Sequence, residues 1–300
     1  MKTPIFTGAC VAIVTPYHEN GIDFDKLGEL IELQIAGGTS AITICGTTGE
    51  ASTQTIEEHK AAIEYCVKKV DHRVKVIAGT GSNCTMTALD LSLYAESCGV
   101  DGLLIVTPYY NKATQAGLIK HYTYIADRVH TPIIMYNVPS RTGTAFTAET
   151  YYELSKHPMI NGIKEASGNF SLVTHTLALC GDNINIWSGN DDQTLPMLAL
   201  GAKGLISVTS NLLPAPMAEL THSYFRGEAE QAKELQMAYL PLMKALFAQV
   251  NPIPIKAAMN LMGMEAGSLD SGCLRRPLWT MDPKPRKALR ETLHAFALLP

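Results

Sequence analysis

Short apolar runs recur along the chain at fairly regular intervals, and segments with helical periodicity lie between them. Each run is mostly apolar at consecutive positions, which is typical of parallel strands covered by helices on both faces. The eight runs span residues 9–14, 41–45, 74–78, 102–106, 132–136, 161–164, 184–188 and 204–208. Strand and helix thus alternate eight times, which predicts an α/β fold of the (β/α)8 TIM barrel type. A doubly wound open sheet is the alternative, because spacing alone cannot show that the sheet closes.

The segments between the runs carry helix signals at their ends. Thr55 and Glu58 have the spacing of a capping box, which predicts that a helix starts there. Gly99 and Gly201 follow stretches of helical pattern and predict helix ends. These signals support helices between successive strands, as a barrel requires.

The chain changes character after residue 227, because the periodicity is helical only from there on. The helical runs are 228–249, 255–262 and 284–298. Pro241 is expected to break the first of them. We therefore predict two domains, a catalytic barrel over residues 1–227 and a small all-helical C-terminal domain over residues 228–300. The simplest role of the second domain is packing and assembly.

The composition allows a large core and argues against several kinds of partner. Apolar residues make up 46% of the 300 residues and charged residues 17%, so disorder is not expected. The net charge is -4 and no basic stretch extends beyond pairs, which argues against a nucleic-acid partner. The uncharged segment 204–218 contains hydroxyl side chains and two prolines, so it is a poor candidate for a membrane span.

Cysteine and histidine usage bears on location and cofactors. The seven cysteines form no CxxC pair, and the N-terminus lacks a signal-peptide pattern, so we expect a cytoplasmic protein. The nine histidines show no ligand spacing, and we therefore expect no metal. Neither the complete glycine fingerprint of a dinucleotide fold nor a Walker A loop occurs.

Lys164 is the most informative residue of the chain. It closes the sixth apolar run, where a lysine is costly unless it is paired, solvated or used chemically. In a barrel, that end of the strand faces the active site. Burial of a lysine favours its neutral amine, which can attack a ketone to form a Schiff base.

Other polar residues fall at the ends of other predicted strands. Thr47 and Thr48 lie in a glycine-flanked turn after the second run, where hydroxyls and backbone N–H groups could hold a carboxylate. Tyr109 and Tyr110 follow the fourth run, and a phenol can relay a proton. Arg141 follows a proline-containing turn after the fifth run and could bind a substrate carboxylate.

Taken singly, these residues have ordinary explanations. Turn residues cap helices, paired tyrosines pack in cores or interfaces, and most loop arginines are only solvated. Their combination is more informative, because the carboxyl ends of all the strands of a barrel meet at one face. A lysine, tyrosines, threonines and an arginine at that face suit Schiff-base carbon–carbon bond chemistry on an acidic substrate.

Five motifs, in the same order along the chain, carry a resemblance to a known family. They span residues 46–50, 107–111, 136–143, 162–168 and 251–256. With them, the chain from Gly8 to about Leu278 resembles the dihydrodipicolinate synthase family of pyruvate-dependent class I aldolases, in the superfamily that includes N-acetylneuraminate lyase. Arg141, in the turn after Tyr136, favours the synthases over the sialic acid lyases.

The resemblance implies a reaction and an assembly. It implies that Lys164 condenses with the keto carbon of pyruvate and that the enamine attacks the aldehyde of L-aspartate 4-semialdehyde. Cyclisation then gives 4-hydroxy-tetrahydrodipicolinate, a step of lysine and diaminopimelate biosynthesis. The only group it implies at the site is the covalent pyruvate imine on Lys164, because the iminium is itself the electron sink. The implied assembly is a homotetramer built as a dimer of dimers.

The resemblance also implies which residues handle protons. Thr47, Tyr136 and Tyr110 match the proton-relay triad of the family, and Tyr110 is expected to reach into the active site of a neighbouring subunit. Hydroxyl groups that pass a proton in single file avoid placing a charged base beside the cationic imine.

A second group of residues is implied to bind the substrates. Thr48 and the backbones of Gly189 and Ile206 match positions that hold the pyruvate end. Arg141 matches the residue that binds the carboxylate of the semialdehyde.

Some members of the family are inhibited by lysine at the dimer interface, and this chain departs from their pattern. The residues expected at that site are Ala51, His59, Asn83 and Tyr109. However, Ile56 stands where those members have histidine, and Thr87 where they have glutamate. Because a carboxylate that could pair with the lysine ammonium is missing, we predict that lysine inhibits weakly or not at all.

Two other functions remain open at this stage. The nearest is another pyruvate-dependent aldolase of the superfamily, such as an N-acetylneuraminate lyase or a keto-deoxy sugar acid aldolase. It would keep Lys164 and Tyr136 but need different groups in the turn that holds Arg141. The other is a barrel that has lost catalysis and serves as a binding or regulatory protein, for which the whole set of polar strand-end residues would be unnecessary.

Overall fold

A computed structural model describes residues 2–269 and 273–299 of the chain. Within them, eight parallel strands close into a barrel in which each strand pairs with its neighbour in sequence and the last pairs with the first. The strands are β1 (Gly8–Ala12), β2 (Ala41–Ile44), β3 (Lys75–Gly79), β4 (Gly102–Val106), β5 (Ile133–Asn137), β6 (Ile160–Glu165), β7 (Asn185–Ser188) and β8 (Gly204–Ser207). All eight predicted runs are strands, and the closed barrel replaces the open-sheet alternative.

Helices cover the outside of the barrel, and a short hairpin of Tyr17–His18 and Gly21–Ile22 follows β1. The helices are α1 (Phe24–Ala36), α2 (Ile56–Val70), α3 (Thr85–Cys98), α4 (Gln115–Ala126), α5 (Pro139–Thr142), α6 (Ala148–Ser155), α7 (Phe170–Cys180), α8 (Thr194–Ala199), α9 (Pro214–Phe225), α10 (Ala229–Ala245), α11 (Ile253–Leu261) and α12 (Pro283–Ala295). The predicted capping box is confirmed at the start of α2, where Thr55 and Glu58 exchange hydrogen bonds of 3.2 and 3.0 Å. Gly99 ends α3 in the left-handed conformation, as its position predicts.

The lumen of the barrel is filled by apolar side chains. Phe6, just before β1, stacks on Trp187 of β7 with ring centroids 5.1 Å apart, and the Trp187 indole donates to the Phe6 carbonyl at 3.2 Å. Tyr136 and Ile206 belong to the same buried cluster. Lys164 thus lies near the end of a strand that borders a largely apolar lumen.

The helices after residue 228 pack on one another and on α9. The predicted break at Pro241 is wrong, because α10 runs through this proline. A proline inside a helix costs about 3 kcal/mol. Burial of Leu242 and Met243, each worth about 1.5–3 kcal/mol, offsets that cost. The division of the chain at residues 227 and 228 stays a prediction.

Two further findings concern the part of the chain that the structure describes. No helix there is both long and apolar enough to cross a membrane. All seven cysteines lie in that part, and each is a free thiol.

Candidate active site

Lys164 lies near the carboxyl end of β6 with 6% of its surface exposed. Strand register places it beside Tyr136 of β5 and Trp187 of β7. Its Nζ lies 4.4 Å from the centroid of the Tyr136 ring. Within residues 2–269 and 273–299, this side chain makes no hydrogen bond or ion pair. No described protein group therefore competes with a substrate for the Lys164 amine.

Gly189, which follows β7, approaches the Lys164 side chain closely. A Cβ atom at Gly189 would lie 3.2 Å from Cε of Lys164 and 2.8 Å from Cβ of Ala166. Only glycine fits this space without a shift of its neighbours. The structure thus brings together Lys164 and one of the two backbones predicted to hold pyruvate, while the other, Ile206, lies in the same lumen cluster as Tyr136.

Glu165 supports the β5 and β6 strand ends from the opposite face of β6. Its buried carboxylate accepts hydrogen bonds from Asn137 Nδ2 at 3.1 Å, the Tyr151 hydroxyl at 3.2 Å and the Ser167 backbone N–H at 2.7 Å. Burial raises the pKa of Glu165, and these hydrogen bonds act against that rise. Because successive side chains of a strand point to opposite faces, Glu165 fixes the strand that presents Lys164 without entering the lumen.

A cavity of about 870 Å³ opens at this end of the barrel. Predicted site residues in its lining are Thr47, Tyr109, Tyr110, Tyr136 and Arg141. Lys112 also lines it, and no Asp or Glu of the described chain does. Two cationic side chains without acidic neighbours favour an anionic ligand such as a carboxylate. The described residues contain no group of three or more His, Cys, Asp or Glu side chains that could hold a metal ion.

Tyr110 stands out from the protein surface at the rim of the cavity. Its side chain is 91% exposed, and its backbone has a φ of 72°. A left-handed backbone is uncommon for a bulky residue, and Tyr110 combines it with a solvent-exposed phenol. The predicted contact with a neighbouring subunit stays a prediction.

Thr47 and Thr48 lie in the turn after β2, and the structure positions them differently. Thr47 is partly exposed and lines the cavity. Thr48 is buried, and its hydroxyl accepts a hydrogen bond of 3.0 Å from Asn251 Nδ2. The Asn251 carbonyl in turn accepts from Arg141 Nη2 at 2.9 Å. Asn251 thus links two predicted substrate-binding residues to each other.

Sequence reasoning assigned no role to Asn251. The motif at 251–256 carries part of the resemblance, but it lies in the predicted C-terminal domain, whose simplest role is packing and assembly. A local signal could not have shown that this segment returns to the barrel rim, because Asn251 and Thr48 are 203 residues apart.

A second buried lysine, Lys256 of α11, lies behind the same turn. Its Nζ donates to Glu50 Oε1 at 2.5 Å and to the carbonyls of Thr15 and Cys273, both at 2.6 Å. Lysine and glutamate side chains are both fully buried. Burial lowers the pKa of Lys256, and the Glu50 carboxylate acts in the opposite direction.

Three of the four residues predicted for a lysine site lie in the lining of the cavity. Ala51, His59 and Tyr109 line it, together with Ile56 and Thr87. His59 Nε2 is 2.7 Å from the Gly79 carbonyl, and burial lowers the pKa of His59. A fourth predicted residue reaches the adjacent loop through its backbone: the Asn83 carbonyl accepts from Asn111 Nδ2 at 3.0 Å.

Comparison with known proteins shows which family has this sequence and architecture. The family model described as the dihydrodipicolinate synthetase family matches residues 5–296. A protein of Thermoanaerobacter sp. (strain X514) named 4-hydroxy-tetrahydrodipicolinate synthase is 52% identical over 297 residues, which are 99% of this chain and 98% of that protein.

Solved structures agree with that match. Dihydrodipicolinate synthase from Aquifex aeolicus has a TM-score of 0.93 and 42% identity, over 98% of this chain and 99% of that one. A structure described as the first monomeric dihydrodipicolinate synthase variant has a TM-score of 0.93 and 40% identity, over 98% of each chain. Because these matches span nearly the whole chain, this protein belongs to the dihydrodipicolinate synthetase family.

Proposed function

We propose that this protein condenses pyruvate with L-aspartate 4-semialdehyde to form 4-hydroxy-tetrahydrodipicolinate, for lysine and diaminopimelate biosynthesis. Membership of the family and the names of its relatives support this reaction. The observation that carries the proposal is the unpaired amine of Lys164, buried at the end of β6 beside Tyr136, which lines the cavity together with Lys112 and Arg141.

The Lys164 amine begins the reaction by attack on the keto carbon of pyruvate, and loss of water gives an iminium. The iminium acidifies the pyruvate methyl group, which loses a proton to give an enamine. The enamine carbon bonds to the aldehyde carbon of the semialdehyde. The amino group of the semialdehyde then displaces Lys164 at the imine carbon and closes the ring. One water is released overall, and the enzyme returns with its amine free.

Three hydroxyl groups handle the protons in this proposal. The 4.4 Å approach of the Tyr136 ring to the Lys164 amine supports this role for Tyr136, and the position of Thr47 in the cavity lining supports it for Thr47. Tyr110 completes the relay from a neighbouring subunit, which accounts for its exposure and its outward projection. Protons enter and leave through neutral groups, so no carboxylate is needed beside the iminium.

The substrate carboxylates are bound by different parts of the rim. Thr48 and the backbones of Gly189 and Ile206 hold pyruvate near the amine. Arg141 binds the carboxylate of the semialdehyde. The closeness of Gly189 to Lys164 supports the first assignment, and the location of Arg141 in the cavity lining supports the second.

Borohydride reduction in the presence of pyruvate, followed by peptide mass mapping, tests the proposal. We expect one adduct, on Lys164. Lys256 is an internal control, since it is at least as deeply buried but its donors are occupied. No adduct, or an adduct on another lysine, would overturn the mechanism. Turnover of aspartate semialdehyde against N-acetylneuraminate then separates this reaction from that of another aldolase.

We also propose that the active form is a homotetramer in the cytoplasm, built as a dimer of dimers. The projecting Tyr110 supports an assembly in which one subunit completes the site of another. Reducing conditions in the cytoplasm would keep all seven cysteines as thiols. Sedimentation analysis should give a tetramer, and a fully active monomer would contradict the shared site.

Lysine is proposed to be at most a weak inhibitor. The cavity lining contains Ile56, Thr87, Lys112 and Arg141 but no carboxylate of the described chain. The ammonium group of a lysine ligand would therefore meet no opposite charge in this lining. Inhibition by micromolar lysine in a steady-state assay would contradict this.

A further inference from the structure

The turn that carries Thr47 and Thr48 is anchored from behind by the buried pair of Glu50 and Lys256. We propose that these two residues are positioning residues for the condensation, through which helix α11 fixes the turn at the rim of the cavity. The inference rests on the proposed function, because it assigns the pair a role in placing groups that bind pyruvate and relay protons.

Glu50 transmits its position directly to the site. Its backbone N–H donates to the Thr47 carbonyl at 3.1 Å, so the carboxylate and the relay hydroxyl belong to one hydrogen-bonded turn. Glu50 has a left-handed backbone with a φ of 56°, which an ordinary side chain seldom adopts without support. The support comes from its carboxylate, which binds Lys256 through Oε1 and accepts from the Arg275 backbone N–H at 2.9 Å through Oε2.

All three hydrogen-bond donors of the Lys256 ammonium group are used. An ammonium group has three donors, and here the Glu50 carboxylate and the carbonyls of Thr15 and Cys273 accept them. This arrangement ties together the end of β1, the β2 turn, α11 and the segment before Arg275. With no donor left for a ligand, the residue acts through the turn and not on the substrate.

Two further contacts hold the same turn against movement. The Thr15 hydroxyl donates to the Gly49 carbonyl at 2.8 Å from the barrel side. Asn251, at the entry to α11, binds the Thr48 hydroxyl from the C-terminal side. The turn is therefore held at three successive residues, and Glu50 with Lys256 provides the charged, fully buried contact.

A purely stabilising role would not require an ion pair at this place. Replacement of a buried ion pair by apolar residues of similar volume is often neutral or stabilising, because desolvation cancels much of the attraction. What a directional charged contact adds is a fixed position. That position matters here, since a misplacement of about 1 Å can cost roughly a hundredfold in rate.

The main test variant is Glu50→Gln, which keeps the size of the side chain. One of the two carboxylate oxygens becomes an NH2 group, which cannot accept the hydrogen bond that Lys256 or the Arg275 N–H donates to it. A second variant, Glu50→Gln with Lys256→Met, removes both charges and leaves no unpaired buried ammonium. The control is Leu289→Ala in α12, which removes buried apolar volume from the C-terminal helices without touching the turn.

All variants are assayed at a temperature where each is folded. We expect both Glu50 variants to lower kcat/KM for pyruvate by roughly tenfold or more. Exchange of the pyruvate methyl protons with deuterated water should slow by a similar factor. Amide hydrogen exchange should also rise in the peptide covering residues 46–54. Leu289→Ala should lose thermal stability but keep kcat/KM within about twofold of the parent.

Two outcomes would overturn the inference alone. One is a Glu50→Gln protein and a double variant with parental kinetics and exchange. The other is a Leu289→Ala protein that loses kcat/KM as much as they do, which would make the effect one of stability. The parent protein is first tested for its pyruvate adduct. If Lys164 forms none, the proposed function fails, and the positioning role fails with it.

Discussion

The regions around Lys164 and Lys256 show two opposite uses of a buried lysine. Lys164 is 6% exposed, its amine lies 4.4 Å from the centroid of the Tyr136 ring, and within the described chain it makes no hydrogen bond or ion pair. Lys256 is completely buried and donates to a carboxylate and two carbonyls. The more deeply buried lysine is thus the one with all its donors occupied, and the proposed nucleophile is the one without a hydrogen-bond partner.

The two regions are also built by different parts of the chain. Lys164 and Tyr136 are neighbours in register on adjacent strands, and Glu165 with Asn137 fixes the same two strands from outside the lumen. Lys256 instead joins the β2 turn to a helix 206 residues further along the chain. One side of the active site is therefore held by the barrel itself and the other by the C-terminal helices.

The largest effects are expected when each lysine is replaced by methionine, and they should differ in kind. Lys164→Met should abolish the pyruvate adduct and lower kcat by at least about 10³-fold, because the nucleophile is gone. Its thermal stability should change little, since no partner is left unpaired. Lys256→Met should keep the adduct but lose roughly 3–5 kcal/mol of stability, because it leaves the Glu50 carboxylate buried without its counter-ion.

Borohydride mapping and thermal unfolding of both proteins measure this contrast. A stable Lys256→Met protein would show that the ion pair is dispensable for folding. Marked destabilisation of Lys164→Met would show that Lys164 has a structural role as well, and the contrast between the two lysines would collapse.

A smaller effect is expected from Asn251→Ala, which tests the link between the two sides of the site. The substitution removes the hydrogen bond to the Thr48 hydroxyl but keeps the backbone carbonyl that accepts from Arg141. The hydrogen bond that orients Thr48 is worth about 1 kcal/mol, so its loss should lower kcat/KM for pyruvate roughly fivefold. Steady-state kinetics with each substrate varied in turn measures it.

Asn185→Ala is the matched control for that variant. Asn185 is a buried asparagine at the start of β7, and its amide donates to the Lys2 carbonyl and to Asn161, at the opposite end of the barrel. It should cost comparable stability without a change in KM for pyruvate. Equal kinetic effects of the two substitutions would remove the argument for a specific contact at Thr48.

This contrast also explains how much could be predicted from the sequence. The barrel and the strand-end residues were predictable, because apolar runs mark parallel strands and the carboxyl ends of those strands meet. This rule makes Lys164 a candidate for Schiff-base chemistry, whereas the role of Tyr136 comes only from the resemblance to the family. The contacts of Asn251 and Lys256 were not predictable, since each joins segments more than 200 residues apart and leaves no periodic signal.

The predicted helix break at Pro241 was wrong for a related reason. Its local effect on a helix is unfavourable, and the burial of Leu242 and Met243 that outweighs it depends on neighbouring helices. Predictions from local sequence patterns were therefore right for the repeated strands of the barrel. They were wrong at Pro241, where packing between the C-terminal helices decides the structure.

The smallest expected effects are on the pH dependence of folding stability. The contribution of Glu165, next to Lys164, should change with pH in the opposite direction to that of Glu58, which pairs with Arg275. Burial raises the pKa of Glu165, so in the range above its unfolded value of about 4.3 the folded protein binds more protons than the unfolded one. Stability from this group falls as pH rises. The ion pair with Arg275, by contrast, lowers the pKa of Glu58. Its contribution is present above the unfolded value and is lost as pH falls through the folded value.

Glu165→Gln and Glu58→Gln separate these two responses. The stability deficit of Glu165→Gln should shrink as pH rises from about 4 to 7, because only the parent pays for a buried charge. The deficit of Glu58→Gln should grow over the same range, to about 1 kcal/mol or less, since glutamine keeps the capping box but not the charge opposite Arg275. Thermal unfolding of parent and variants at matched ionic strength gives both slopes. If both deficits changed with pH in the same direction, the prediction would be wrong. Glu165, near Lys164, and Glu58, paired with Arg275, would then not have pKa values shifted in opposite directions.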